Sequence, residues 1–149
     1  MSRFFVCETV YEDRAVILEV LRELGYEPRL SEEGVALSNY YGRTDSTMKA
    51  NIIIPKDQLN RTTGASNDIG FVKQDGKYKL ILDDYDSRYL KAKDPITGKM
   101  ENFEQAFQRS YVVKAAQRKL MSRGITGFRL DKTKVTVDAK GRVQVVLRR

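Results

Sequence analysis

The sequence predicts an α+β fold: a two-layer sandwich in which a mostly antiparallel sheet carries two helices on one face. Three observations lead there. Residues 69–82 form a β-hairpin around Asp75-Gly76, residues 133–147 form another around Gly141, and two stretches near 12–24 and 102–123 carry apolar residues at helical spacing. Strands joined by hairpins pair antiparallel, and the apolar face of such a sheet needs a covering layer that helices supply. A chain of 149 residues suits a single domain spanning 1–149 that buries roughly 70% of its unfolded surface.

Residues 4–9 read as the first strand. The first helix follows over about 12–24, with Glu12 and Asp13 at its positive end, Ile17, Val20, Leu21 and Leu24 on one stripe, and Gly25 as its stop. A short strand at 26–30, a turn at Glu32-Glu33-Gly34 and a strand at 35–41 come next. Residues 42–47 are polar and loop-like, 49–55 give another strand, and 60–67 have loop composition. In the first hairpin the Asp75-Gly76 loop pairs Phe71 with Leu80, Ile69 with Leu82 and Lys73 with Tyr78, which places the large apolar residues on one face. Residues 83–100 form a polar connection containing Pro95 and Gly98. The second helix starts at the N-cap Asn102, buries Phe103, Ala106, Phe107, Tyr111 and Ala115, and stops at Gly124. The last hairpin pairs Val137 with Val143 and Val135 with Val145 across a three-residue loop ending in Gly141. That register sets Lys132 opposite Arg148, two like charges that do not favour one another.

Composition excludes several chemistries. The chain has no histidine, so Ser/His/Asp and Cys/His catalysis are impossible, and one cysteine cannot build a structural zinc site. Cys7 reads as a small buried side chain in the first strand. No apolar run approaches the roughly 20 residues of a membrane helix, and the apolar start is too short for a signal peptide, so a cytoplasmic protein with no membrane contact is expected.

Charge is unevenly spread. Residues 1–101 carry 15 Lys and Arg against 17 Asp and Glu, whereas residues 102–149 carry 12 against 3, a net of +9. An anionic surface is the natural target of such a segment. Within the basic set, Lys114 and Arg118 share a helix face at i,i+4, and Lys132, Lys134, Arg142 and Arg148 form a strip on the last hairpin. These six are the expected contacts to nucleic acid or another anionic partner. Interleaved aromatics for base stacking are sparse, Phe128 being the obvious one, so sequence-specific readout is not expected. Asp83-Asp84-Tyr85-Asp86 has oxygen ligands for a hard cation but lacks the glycine and distal glutamate of a calcium loop, and reads as a solvated turn. No phosphate loop or dinucleotide fingerprint is present, and no cofactor, metal or catalytic residue is expected. An enzyme built on Asp83, Asp84 and Lys79 has only residue type in its favour.

An ordered set of short motifs runs through the chain: Met1-Ser2-x-Phe4, Leu24-Gly25-Tyr26, Tyr41-Gly42, Asp68-Ile69-Gly70-Phe71, Tyr78-x-Leu80-x-x-Asp83, Phe103-x-x-x-Phe107-x-x-x-Tyr111, Gly127-Phe128, and Gly141-x-Val143-x-Val145-x-Leu147-Arg148. In order and spacing they resemble the conserved reading frame of algal plastid genomes, a family of unknown function also found in cyanobacteria, other bacteria and some phages. The chain departs from that pattern in longer segments at 60–67 and 85–100. It also lacks tryptophan, and Tyr85 stands where an aromatic is expected. The resemblance brings no catalytic residues. It implies an accessory role by association with AAA+ ATPases and small ferredoxin-like proteins. The expected function is a non-enzymatic module docking its basic last third on nucleic acid or a ribonucleoprotein. The alternative is an accessory protein-binding subunit of an AAA+ ATPase or redox complex.

Overall fold

In the computed structural model the described residues are 4–39, 44–62, 67–124 and four strand segments at 129–130, 136–137, 143–144 and 147–148. Five strands, β1 (Phe4–Tyr11), β2 (Arg29–Ser38), β3 (Thr44–Ile54), β4 (Ile69–Gln74) and β5 (Lys77–Asp83), form one sheet in the order β1-β5-β4-β3-β2. Every pairing is antiparallel. The edge strands β1 and β2 therefore run in the same direction, and α1 (Arg14–Glu23) crosses the sheet to join them. The α+β class is as expected.

The predicted hairpin is present: Phe71 faces Leu80 and Lys73 faces Tyr78. Both loop residues have positive φ, 53° at Asp75 and 77° at Gly76, the backbone that matches strand twist in a two-residue loop. The consecutive apolar run Leu80-Ile81-Leu82 follows from burial on both sheet faces. Leu80 and Leu82 join the core under the helices, and Ile81 packs on the opposite face with Phe4, Leu37, Ala50 and Ile53.

Among the described residues four helices are present where two were expected. Beyond α1 and α4 (Phe103–Ser122), α2 (Lys56–Thr62) follows Pro55 directly and takes the first three residues of the expected loop, while α3 (Asp84–Tyr89) occupies the start of the expected polar connection. Both are too short to show an apolar period, so a polar composition hid them. The same connection holds a small ribbon of β6 (Lys91–Lys93) and β7 (Met100–Asn102). The two short strands expected at 26–30 and 35–41 are one strand, β2, whose register with β3 breaks between Leu30 and Val35. The Asn51 side chain holds that break. Its amide donates to the carbonyls of Ser31 and Glu32, and its oxygen accepts from Lys73 N. Strand β3 begins at Thr44, inside the stretch expected to be loop.

In the last hairpin, β9 (Thr136–Val137) pairs with β10 (Val143–Gln144) in the expected register, Val137 facing Val143. The outer pair differs: β8 (Arg129–Leu130) meets β11 (Leu147–Arg148) with Arg129, not Lys132, facing Arg148. Five residues separate the two strand segments on one arm and two on the other, so the register shifts by three. The Val135–Val145 pair, the three-residue loop and the motif residues Gly127 and Phe128 lie outside the described residues.

The motif Asp68-Ile69-Gly70-Phe71 has a packing explanation. Asp68 accepts from Ser38 N at 2.7 Å and from Lys56 N at 2.8 Å, tying the end of β2 to the start of α2. The Lys56 ammonium donates back to Asn39 O and Ser38 Oγ. Gly70 lets the second sheet face close, because a Cβ there would stand 2.5 Å from Ala50 Cβ and 3.0 Å from Leu37 Cδ2. Phe71 lies fully buried in the helix-side core.

Gly70→Ala should therefore destabilise the fold by about 1–3 kcal/mol through overpacking. Urea unfolding measures the loss, and adding Ala50→Gly to the variant should restore part of it.

Candidate functional site

Helix α4 starts where Asn102 Oδ1 accepts from Glu104 N and Gln105 N. Its buried side carries Phe103, Ala106, Phe107, Ser110, Tyr111 and Val113. Lys114 and Arg118 do share a face, as their spacing requires, but that face meets the acidic side of α1. Lys114 Nζ lies 2.6 Å from Glu23 and 3.4 Å from Glu19, and Arg118 reaches Glu19 at 4.0 Å. Burial works against the Lys114 ammonium, yet the hydrogen bond and charge of Glu23, with Glu19 behind them, hold its pKa above the ordinary value. Arg109, another member of the basic set, is bound between Asp94 and Glu101 and anchors the β6–β7 ribbon. Arg118, although it reaches Glu19, is exposed, as are Lys119 and the C-cap residue Arg123. Of the remaining expected contacts, Arg148 lies on β11 facing Arg129, whereas Lys132, Lys134 and Arg142 fall outside the described residues. Helix α4 and β10 are neighbours. The compensating Glu19 and Glu23 were visible in sequence only as an i,i+4 acidic pair on α1. Nothing local says that this pair faces α4.

A concavity lies between β1 and α4. Residues 5–9 with Glu104 and Gln108 line a cavity of about 470 Å3. Cys7 is buried there, as expected. Burial foremost, then the charge of Glu104 and a hydrogen bond to it, push the Cys7 thiol up to about 12, so no thiolate nucleophile forms near neutral pH. Burial also holds Glu104 above its ordinary value, opposed by the hydrogen bond from Cys7.

The aspartate cluster is not the solvated turn that its composition suggests. Asp83 caps α3, its Oδ1 accepting from Tyr85 N, and it is 0% exposed; Asp86 is 1% exposed and accepts from Asn67 Nδ2 at 3.2 Å. The helix turns Asp86 inward behind its own cap. Among the described residues, Asp83 Oδ2 and Asp86 Oδ1 have no hydrogen-bond partner. Burial pushes Asp86 up to about 6, against the Asn67 hydrogen bond and with added repulsion from Asp83. Among the described residues no group of three acidic, cysteine or histidine side chains is placed to hold a metal ion, and no helix is long and apolar enough to cross a membrane.

Among known proteins, a family model described as a protein of unknown function, DUF1257, matches residues 20–146. No curated protein and no solved structure matches the chain.

Two outcomes follow from this geometry. Lys114→Glu would set a third carboxylate against Glu19 and Glu23, and thermal unfolding should show a loss of about 1 kcal/mol, relieved in 1 M salt. For Asp86 the folded pKa lies above the unfolded one, so its contribution is present at low pH and is lost as pH rises through about 6. Asp86→Asn should remove that loss, raising the melting temperature by several degrees at pH 7.5 and little at pH 4.

Proposed function

We propose for this chain, which belongs to the DUF1257 family of proteins of unknown function, a role as a non-enzymatic binding module that docks its basic last third on nucleic acid or a ribonucleoprotein. The observation that carries this reading is charge segregation. Residues 102–149 hold 12 Lys and Arg against 3 Asp and Glu, and while Arg109 and Lys114 of α4 are held by close carboxylates, Arg118, which reaches Glu19 only at 4.0 Å, Lys119 and the C-cap residue Arg123 are exposed. The register that sets Arg129 opposite Arg148 supports it too, because it brings two basic residues together at one end of the last hairpin. Such a surface binds phosphates by releasing condensed counterions. The working contact set is therefore Arg118, Lys119 and Arg123 with Lys132, Lys134, Arg142 and Arg148, and Lys114 holds the helix that presents them. The absence of histidine and the high thiol pKa of Cys7 support a role without nucleophilic catalysis. Kinship with the plastid, cyanobacterial and phage reading frame, and a cytoplasmic location, complete this reading. They rest on the ordered motifs and the composition.

One observation favours a second reading, an accessory subunit that meets an AAA+ ATPase or redox complex through protein contacts. The cavity between β1 and α4 carries Glu8 and Glu104, which repel phosphate but suit a protein surface.

Fluorescence anisotropy with labelled single- and double-stranded RNA and DNA tests the first reading. If about four phosphates are contacted, affinity should fall roughly 10²-fold between ~50 and ~200 mM salt. Lys119→Glu/Arg123→Glu should weaken binding at unchanged melting temperature. No binding at the lower salt would end this reading.

A further inference from the structure

Strand β1 is a sheet edge. It pairs with β5 on one side, and among the described residues no strand pairs with it on the other. An edge offers backbone N–H and C=O groups to any extended chain laid beside it. Register with β5 holds at Val6–Ile81 and resumes at Val10–Lys79, so β1 has two more residues than β5 over this stretch. A bulge of this kind bends the strand and re-aims its side chains, and bulges are over-represented at sheet edges and next to active sites. Here the bulged residues, Cys7, Glu8 and Thr9, are also those that line the cavity against α4.

The walls have a definite chemistry. Phe5, at 36% exposure, puts apolar surface at one end of the cavity. Glu8 from the strand and Glu104 from the helix put two carboxylates on the cavity, with Gln108 beside them. The buried Cys7 forms part of the floor. An edge strand with a helix behind it is the arrangement in which an extended peptide adds as a further strand. Main-chain hydrogen bonds then supply affinity, and pockets for alternate side chains supply selectivity. Two carboxylates in those pockets select cations and turn away a phosphate backbone.

We infer that the groove between β1 and α4 binds an extended, basic segment of a protein partner by strand addition, with a Lys or Arg side chain held between Glu8 and Glu104. This surface is separate from the basic end of α4 and opposite to it in sign, so the two sites take different classes of partner.

The test uses the full chain and three fluorescein-labelled decapeptides. One alternates threonine and lysine, one alternates threonine and glutamate, and one alternates proline and lysine, keeping the charge but offering few backbone N–H groups. The threonine–lysine peptide should bind, and the other two should bind at least about tenfold more weakly, because strand addition needs both charge match and backbone donors. Glu8→Gln/Glu104→Gln should weaken the threonine–lysine peptide by a similar factor, about tenfold, with the circular-dichroism spectrum of the folded chain unchanged and RNA binding not weakened. Bound peptide should also slow hydrogen exchange of the β1 amides. Equal binding of the proline–lysine peptide would reduce the groove to a charge effect and overturn the proposal. Undiminished binding by the double variant, or no binding of any peptide, would do the same. A concentration-dependent dimer lost in the double variant would give the groove to a second copy of this chain, which also overturns it.

Discussion

The contact on which the rest of the structure depends is the aromatic column of α4 against the sheet. Phe103, Phe107 and Tyr111 recur every four residues and lie on one face of the helix, with 6.2 Å between successive ring centres. Tyr11 of β1 stands edge-on to both Phe107 and Tyr111, at 5.0 and 4.8 Å, and Phe71 of β4 closes on Phe107 at 5.1 Å. Such pairs add about 0.5–1.5 kcal/mol each beyond the area they bury. The column also fixes α1. The Tyr111 hydroxyl oxygen accepts from Glu12 N and Asp13 N, the residues that lead into that helix. Asp13 in turn caps Ala15 N and Val16 N. Moving α4 would therefore uncouple the start of α1, the β1 groove and the ion pairs between the helices.

Given that placement, the charges divide into two groups. Lys114 and Arg109 are committed to carboxylates within the fold, one joining α4 to α1 and the other joining α4 to the β6–β7 ribbon. They contribute to net charge without contributing a docking surface. Of the cations near the end of α4, Arg118 reaches Glu19 only at 4.0 Å, and Arg118, Lys119 and Arg123 remain exposed. The acidic counterpart lies along β1, where Glu8 and Glu104 share a cavity. A charge count over the chain gives a single basic protein; the fold separates it into a basic end and an acidic groove.

Much of the fold was legible. The Asp75-Gly76 loop, the apolar alternation around it and the four-residue spacing of aromatics in α4 are local signals, and local geometry decides what they become. The helix start at Asn102 was legible for the same reason, since a cap bonds within its own first turn, whereas Asp13, expected inside the first helix, is its cap. What escaped was short or polar. Helices α2 and α3 are held by Asp68 and Asp83, single side chains whose partners cannot be read from a period. The burial of Asp83 and Asp86 contradicts their composition outright, because α3 turns them beneath neighbouring segments. Of the candidate contacts, Lys114 and Arg118 were placed on one face correctly, yet what that face meets depended on where α1 came to rest.

The sequence by itself determined the fold class, the main hairpin register, the limits of the two long helices and the sign of the last third. Each of these follows from interactions within about one turn or one strand pair, where chain connectivity leaves little freedom. Tertiary structure decided which charges cancel, which carboxyls lose water and where a groove opens. Those depend on segments distant in sequence, such as Lys114 with Glu19 and Glu23 or Glu104 with Cys7, and on burial, which changes the energy of a charge far more than its identity does.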